Sequence, residues 1–449
     1  MSRHNNKRLF IIPLLKEVIE MKVKLLVVTA IFFLPFCREP VERQVSTVNS
    51  LINTSHLDAL YEEINVEGKS MGIIHIYSDF PDYNWLGDDD EGIACIDDAA
   101  RAVIFYLEYY KASADQSSIQ KAKRLLEFLF YMQSDNGFFY NFIFEDYSIN
   151  KDHKNSFAEP NWWSWRAMWA LSEGYSVFKD IDNPFAELIF SYLSKAVNAT
   201  KQTISNEDRF DSANGISFPT WLPGGSAGDQ ASVLILALLN YLQDEKDTVV
   251  ENYVNKLCDG ILCMQKGDSA TIPYYAFLSW QNIWHAYGNS QSYSILKASK
   301  FLDRKDLVVA ALNEINYFYD YLIQEKHLSS FSLGIENDHY KIIAEEKFSQ
   351  IAYNLRPMIY SCLEAFRMTN DSIYAIKAGE IALWFLGKNI ANEQVYFPQN
   401  GICYDGINSE NDINKNSGAE STIEALLSLQ QIENISITRN KLLKIISKN

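Results

Sequence analysis

Asp97-Asp-Ala-Ala-Arg-Ala-Val-Ile-Phe-Tyr-Leu-Glu-Tyr-Tyr110 keeps most of its charge in its first turn, and apolar residues cover nearly all the rest of its circumference. A helix buried on every side has this pattern. After a short polar break, residues 117–133 read differently. Leu125, Leu126, Leu129 and Met132 fall on one face and charged residues on the other, which describes a helix with one side in water. An apolar helix followed by an amphipathic partner makes one hairpin.

The hairpin recurs along the chain. Apolar helical stretches begin near Ile96, Trp163, Asp229, Asn282, Asn354 and Gly418, at intervals of 53 to 72 residues. Amphipathic partners follow at about 117–133, 184–204, 247–265, 302–325, 372–389 and 435–447. Repetition at a fixed period is the signature of a stacked or closed architecture. Apolar helices inside and amphipathic ones outside satisfy both patterns if six hairpins close into two concentric rings. The fold expected is therefore all-α, an (α/α)6 toroid, over residues 56–449. Between hairpins, Gly137-Phe-Phe-Tyr140, Pro273-Tyr-Tyr275 and Val395-Tyr-Phe-Pro398 offer short aromatic extended stretches at one rim. A short strand is expected at Gly72 to Tyr77.

The start of the chain reads as targeting. Met21-Lys-Val-Lys24 is a positive segment, Leu25 to Phe33 is apolar, and Leu34-Pro-Phe-Cys37 resembles the lipobox of bacterial lipoproteins. Residues 1–36 are thus expected to be a signal peptide, with residues before Met21 an upstream mis-start or an extended positive region. Cys37 is the expected lipidation site, and 37–55 a polar tether to the bacterial envelope, on its periplasmic or surface side. Residues 1–36 carry six basic and two acidic residues, so their removal makes the formal charge more negative than −17. That charge argues against nucleic acid as a partner. The remaining cysteines, Cys95, Cys258, Cys263, Cys362 and Cys403, are odd in number and irregular in spacing. They read as buried thiols, not as a zinc site or a disulfide framework.

Polar residues collect where the inner helices start. Asp97, Asp98 and Arg101 mark the first; Glu159, Trp162, Trp163 and Arg166 the second; Asp229 the third. Trp280, His285 and Asn289 mark the fourth, Arg356 the fifth, and Tyr404, Asp405 and Glu420 the sixth. Each acid has a plainer reading as a cap for exposed helix N–H groups, and His285 one as a satisfied core histidine. Together they describe an acidic, aromatic funnel suited to a neutral or basic saccharide. Glycoside hydrolysis uses two carboxyl groups. Ring closure brings Asp97 or Asp98 beside Glu420, and only one of two consecutive helical residues can face the site. The other is expected to cap the helix or pair with Arg101. No HExxH, phosphate loop or GxSxG elbow occurs, and Asp88-Asp-Asp-Glu91 lacks the alternation of a calcium loop. No metal or cofactor is expected, and a monomer is.

Two segments carry a resemblance. Asp97-Asp-Ala-Ala-Arg-Ala102 resembles the "DD-x-ARA" segment, and Tyr404-Asp-Gly406 with Asn416-Ser-Gly-Ala-Glu-Ser-Thr422 the closing "YDG…N-x-GAEST" segment, of bacterial toroid proteins in the six-hairpin glycosidase-like superfamily. The resemblance implies a carbohydrate-active protein and gives Asp97, Asp98, Arg101, Asp405 and Glu420 places in its site. A glycoside hydrolase of the inverting, two-carboxylate type is the leading expectation. A glycan-binding lipoprotein without catalysis, and a polysaccharide lyase or sugar epimerase, are the alternatives.

Overall fold

The computed structural model describes residues 49–205 and 207–446. Thirteen α-helices lie among them. After the short α1 (Ser55–Leu60), six hairpins follow. Each comprises an inner helix and an outer helix: α2 (Ile96–Ser113) with α3 (Gln116–Met132), α4 (Trp162–Ile181) with α5 (Asn183–Lys201), and α6 (Gly228–Asp244) with α7 (Thr248–Met264). The second half continues with α8 (Gln291–Leu302) and α9 (Lys305–Gln324), α10 (Ala352–Thr369) and α11 (Ser372–Ala382), and α12 (Ala419–Glu433) and α13 (Ser436–Ile446).

Each inner helix packs on the next, and α12 packs back on α2, so the inner ring is closed. The chain is an (α/α)6 toroid. Small residues let the inner helices approach: Ala99, Ala100 and Ala102 of α2, Ala167 and Ala170 of α4, and Ala231 and Ala237 of α6 are fully buried. The fourth inner helix starts at Gln291, not near Asn282. Residues Ile283–His285 instead form a strand against Ser330–Glu336, which pairs in turn with His339–Glu346. Trp284 stacks on Phe331 in this sheet, and Gly288 turns the chain with a φ of 68°. The expected strand at Gly72 to Tyr77 is split between Lys69–Ile74 and Tyr77–Asp79.

Turns from inner to outer helices span one to three residues, whereas connections from an outer helix to the next inner one span 26 to 36. All the long connections, with their small hairpins, therefore gather at the N-terminal end of the inner ring. Glutamines stitch them down. Gln133 and Gln265 cap the C-termini of α3 and α7. Their amides donate to a carbonyl of the following loop (Gly137, Tyr275) and to one of the next outer helix (Tyr192, Ala310).

The residues expected as signal peptide, with Cys37 and the tether up to 48, lie outside the described residues. The last part of the expected tether belongs to the folded body. Leu51 is buried, its N–H donates to Glu433, and its carbonyl accepts from Tyr396. Among the described residues no helix is long and apolar enough to cross a membrane. All five of their cysteines are free thiols, four of them buried.

Glu314 of α9 is fully buried under this rim. It accepts from the Phe277 N–H at 2.8 Å and the Ser292 hydroxyl at 2.6 Å. Burial pushes its carboxyl up to about 7, against those two bonds. A carboxyl with a raised folded pKa holds its proton more tightly in the folded chain, so stability falls as pH rises from about 4.5 to about 7. Glu314→Gln is expected to remove this contribution, about 3 kcal/mol for a shift of this size. Denaturant midpoints measured from pH 4.5 to 8 are expected to fall less steeply in the variant than in the native chain.

Candidate functional site

A cavity of about 560 Å³ opens at the N-terminal end of the inner ring. Asp97, Asp98, Arg101, Arg166, Tyr353 and Glu420 supply its polar lining. Trp162, Trp163, Phe142 and Tyr287 supply aromatic walls.

Local folding frees the two aspartates of α2 from capping. The Cys95 sulfur accepts from the Asp98 N–H, and the Asn141 side chain accepts from the Asp97 N–H. The carboxylates then take separate directions, as consecutive helical residues must. Asp98 turns inward, with one oxygen 2.7 Å from Arg101 and the other accepting the Cys95 thiol at 3.2 Å. Asp97 faces the cavity. Its Oδ2 pairs with Arg166, and its Oδ1 has no hydrogen-bond partner among the described residues.

Arg101 joins three carboxylates. Besides Asp98, it reaches Glu420 Oε2 at 2.9 Å, and its Nε lies 3.1 Å from Glu424 Oε1 without hydrogen-bond geometry. Glu424 also pairs with Arg356. Burial opposes the Arg101 charge, but the surrounding carboxylates, Glu420 foremost, raise its pKa above the usual value. Burial pushes Asp98 up to about 6. Arg101 opposes this, and Glu420 and Asp97 add to it. Repulsion from Asp97 is present but smaller than the effect of burial. Of the two acids, Asp98 is the partner of Arg101, and Asp97 is the residue at the cavity. The side chain of Glu420 is 43% exposed, against 5% for Asp98.

Tyr353 sits in the middle of the arginines. Its hydroxyl accepts from Arg166 at 2.7 Å, and the guanidinium carbons of Arg101, Arg356 and Arg166 lie 4.9, 5.1 and 5.2 Å from its ring centre. Arg166 also lies over Trp162. The site is consequently not the acidic funnel read from the sequence. Its acids are held in arginine pairs, and formal charge nearly cancels across the lining.

The other expected residues divide. Asp229 is buried with His285 Nε2 2.9 Å from its Oδ2. His285 stacks at 3.8 Å on Tyr287, a wall of the cavity, so this pair supports the lining from behind. Arg356 is buried, does not line the cavity and pairs with Glu424. Asp405 accepts from the Gly418 N–H and the Ser421 hydroxyl, so capping explains it. Asn289 ties down the Phe277 carbonyl and the Ser279 hydroxyl. Glu159 is exposed and contributes only its backbone carbonyl, to Ser164. Trp280 is exposed, bridged to Ala227 before α6, and Tyr404 borders a separate surface cavity. The sequence reading missed Tyr353, Tyr287, Asn141 and Glu424. Only Glu424 carried a signal: an acid one turn after Glu420, and so on the same face of its helix.

No protein-family model matches the chain, and no curated protein sequence matches it. Solved structures match its fold. A sugar epimerase from a ruminal bacterium is 11% identical with a TM-score of 0.62, covering 87% of this chain and 99% of its own. Cellobiose 2-epimerase from Bacillus thermoamylovorans B4167 is 12% identical with a TM-score of 0.61, covering 85% and 95%. A family 76 glycoside hydrolase from a bovine Bacteroides thetaiotaomicron strain is 11% identical with a TM-score of 0.54, covering 85% and 78%. At these identities the likeness is one of fold.

Glu424 has no exposed surface and lies between two buried guanidinium groups. Removing one member of such a group leaves unpaired buried charge, which costs about 3–5 kcal/mol. Glu424→Ala is expected to lower the unfolding free energy by that amount, measured by urea denaturation. The same substitution at half-exposed Glu420 is expected to cost about 1 kcal/mol or less.

Proposed function

We propose that the chain is a carbohydrate-active enzyme that hydrolyses glycosidic bonds, with Asp97 and Glu420 as the working carboxylates. The observation that carries this is the cavity itself. Two carboxylates from opposite ends of the sequence face one aromatic-walled space, each anchored by its own arginine. Aromatic faces suit the C–H faces of sugar rings, and carboxylates accept sugar hydroxyl groups. Asp97 lines the cavity, and its Oδ1 has no hydrogen-bond partner among the described residues.

In this reading Asp97, fixed by Arg166, draws a proton from the attacking water. Glu420, the exposed carboxyl held by Arg101, acts as the general acid at the leaving oxygen. Water between Asp97 and Glu420 attacks the anomeric carbon from the face opposite the leaving group, which inverts the centre. Trp162, Trp163 and Tyr287 position the sugar units on either side.

One observation favours a second reading. The Tyr353 hydroxyl lines the same cavity within a cluster of arginines, an arrangement that also serves proton abstraction from a sugar carbon. Two of the fold neighbours are named as epimerases. Epimerisation leaves the glycosidic bond intact, so the product separates the readings.

The test is a screen of neutral oligo- and polysaccharides by reducing-end release, with the anomer of fresh product read by NMR. Asp97→Asn and Glu420→Gln are each expected to lower turnover by about 10²–10⁴-fold. Glu420→Gln is expected to keep a melting temperature near the native one, whereas Asp97→Asn, which leaves buried Arg166 without its carboxylate, is expected to lower it. Folded variants that cleave at the native rate overturn the hydrolase assignment. A product with an epimerised sugar and an unbroken linkage moves the assignment to the second reading.

A further inference from the structure

Beside the central cavity lies a second groove, of about 920 Å³. The two flank one junction of backbone, where Ala94 bridges to His75 and pairs with Ile143. Ile76, Cys95 and Phe142 line the central cavity, and their neighbours His75, Ile93 and Phe144 line the groove.

The groove holds an exposed indole that is fixed in place. Trp85 is 45% exposed, yet its Nε1 donates to the Ala59 carbonyl at 2.7 Å. One face of its ring stacks on His75, with centroids 3.9 Å apart and planes 12° apart. His75 is held in turn by Glu62 at 2.8 Å. A large aromatic surface left in water is unfavourable, and an aromatic ring locked before its ligand arrives lowers the entropy cost of binding. Around it stand five carboxylates, Glu62, Asp88, Asp89, Glu145 and Asp146, and the lining contains no lysine or arginine. Burial lowers the pKa of His75 in spite of Glu62, so the imidazole adds no cation at neutral pH.

We propose that this groove is a second saccharide site, in which Trp85 stacks on a neutral sugar unit of a chain whose other end reaches the central cavity. The carboxylates accept hydroxyl hydrogens of the sugar. The absence of cations from the lining excludes uronate, sulfated and phosphorylated units, which the five acids repel. The proposal rests on the reading of the protein as carbohydrate-active, and does not depend on which reaction it performs.

The experiment is isothermal titration of the full chain with neutral hexasaccharides of gluco, manno, galacto and xylo configuration, and with an oligogalacturonate. At least one neutral hexasaccharide is expected to bind. Trp85→Ala is expected to weaken it by about ten-fold or more, the scale of one lost aromatic contact. Trp85→Phe, which keeps an aromatic face, is expected to restore most of the loss. Equal affinity in Trp85→Ala and the native chain overturns the site, as does binding of no neutral hexasaccharide. Oligogalacturonate bound with the same dependence on Trp85 overturns the neutral class. Titration reads binding without turnover, so a chain that binds through Trp85 and cleaves nothing supports this site while removing the hydrolase reading.

Discussion

Arg101 carries the contact between the two ends of the ring. Its guanidinium starts on the first inner helix, α2, and reaches Glu420 and Glu424 on the last, α12. A buried cation without partners costs several kcal/mol, and Asp98 alone leaves most of its five donors unmet. The first inner helix therefore gains its electrostatic balance only when the sixth is in place. Closing the ring and assembling the site are one event, because the residues that close it also line the cavity. Gly418 fits the same constraint. A side chain there would come within 2.5 Å of the Ile76 carbonyl, whose bond to the Ala419 N–H ties the start of α12 to the segment before α2.

The lengths of the connections explain why chemistry sits at one end. Turns of one to three residues at the C-terminal end of the inner ring leave no chain to build with, and loops of 26 to 36 residues at the other leave a great deal. The N-termini of all six inner helices point into those loops, and the positive ends of their dipoles favour carboxylates there. Capping alone would consume such acids, as it does Asp405. Cys95 and Asn141 take over that task for α2 and release Asp97 and Asp98 for arginine. A thiol is a weak cap, but a buried one is small enough to leave room for the Asp98 carboxylate beside it.

Periodicity made the ring legible from the sequence, because a helix apolar all round and one apolar on a single face are different strings of letters. The one misplaced inner helix shows where that signal fails. Asn282-Ile-Trp-His285 is as aromatic and apolar as a buried helix start, and short apolar runs do not separate strand from helix. The spacing held the correction. With Gln291 as the fourth start, the inner helices begin 61 to 67 residues apart throughout, whereas Asn282 gives one short and one long interval. The candidate site was half legible. Asp97, Asp98, Arg101, Arg166, Trp162, Trp163 and Glu420 follow from converging helix starts. Glu159, Asn289, Trp280 and Tyr404 share that position in sequence but point elsewhere, which only side-chain direction decides. Tyr353 stands beside Asn354 and Arg356 at the fifth helix start, but an aromatic residue there reads as core.

The pairing of charges gives the acids different uses. Asp98 and Glu424 are buried and each has both oxygens facing partners, so they hold arginines in place and have no oxygen to offer a ligand. Asp97 and Glu420 each give one oxygen to an arginine, and both residues line the cavity. Arg101 thus fixes Glu420 on one side and is anchored by Asp98 and Glu424 on the other, while Arg166 fixes Asp97 and bonds the Tyr353 hydroxyl. A guanidinium suits this double duty because its donors fan out in a rigid plane and its charge is permanent. Lysine at position 101 would keep the near-neutral balance of the cavity, but would offer one compact ammonium to three carboxylates set in different directions. That balance bears on what the cavity accepts. A lining whose charges already cancel gains little from a charged ligand and loses hydration to admit one, so the cavity favours a neutral ligand over an ionic one, which agrees with the saccharide proposed above.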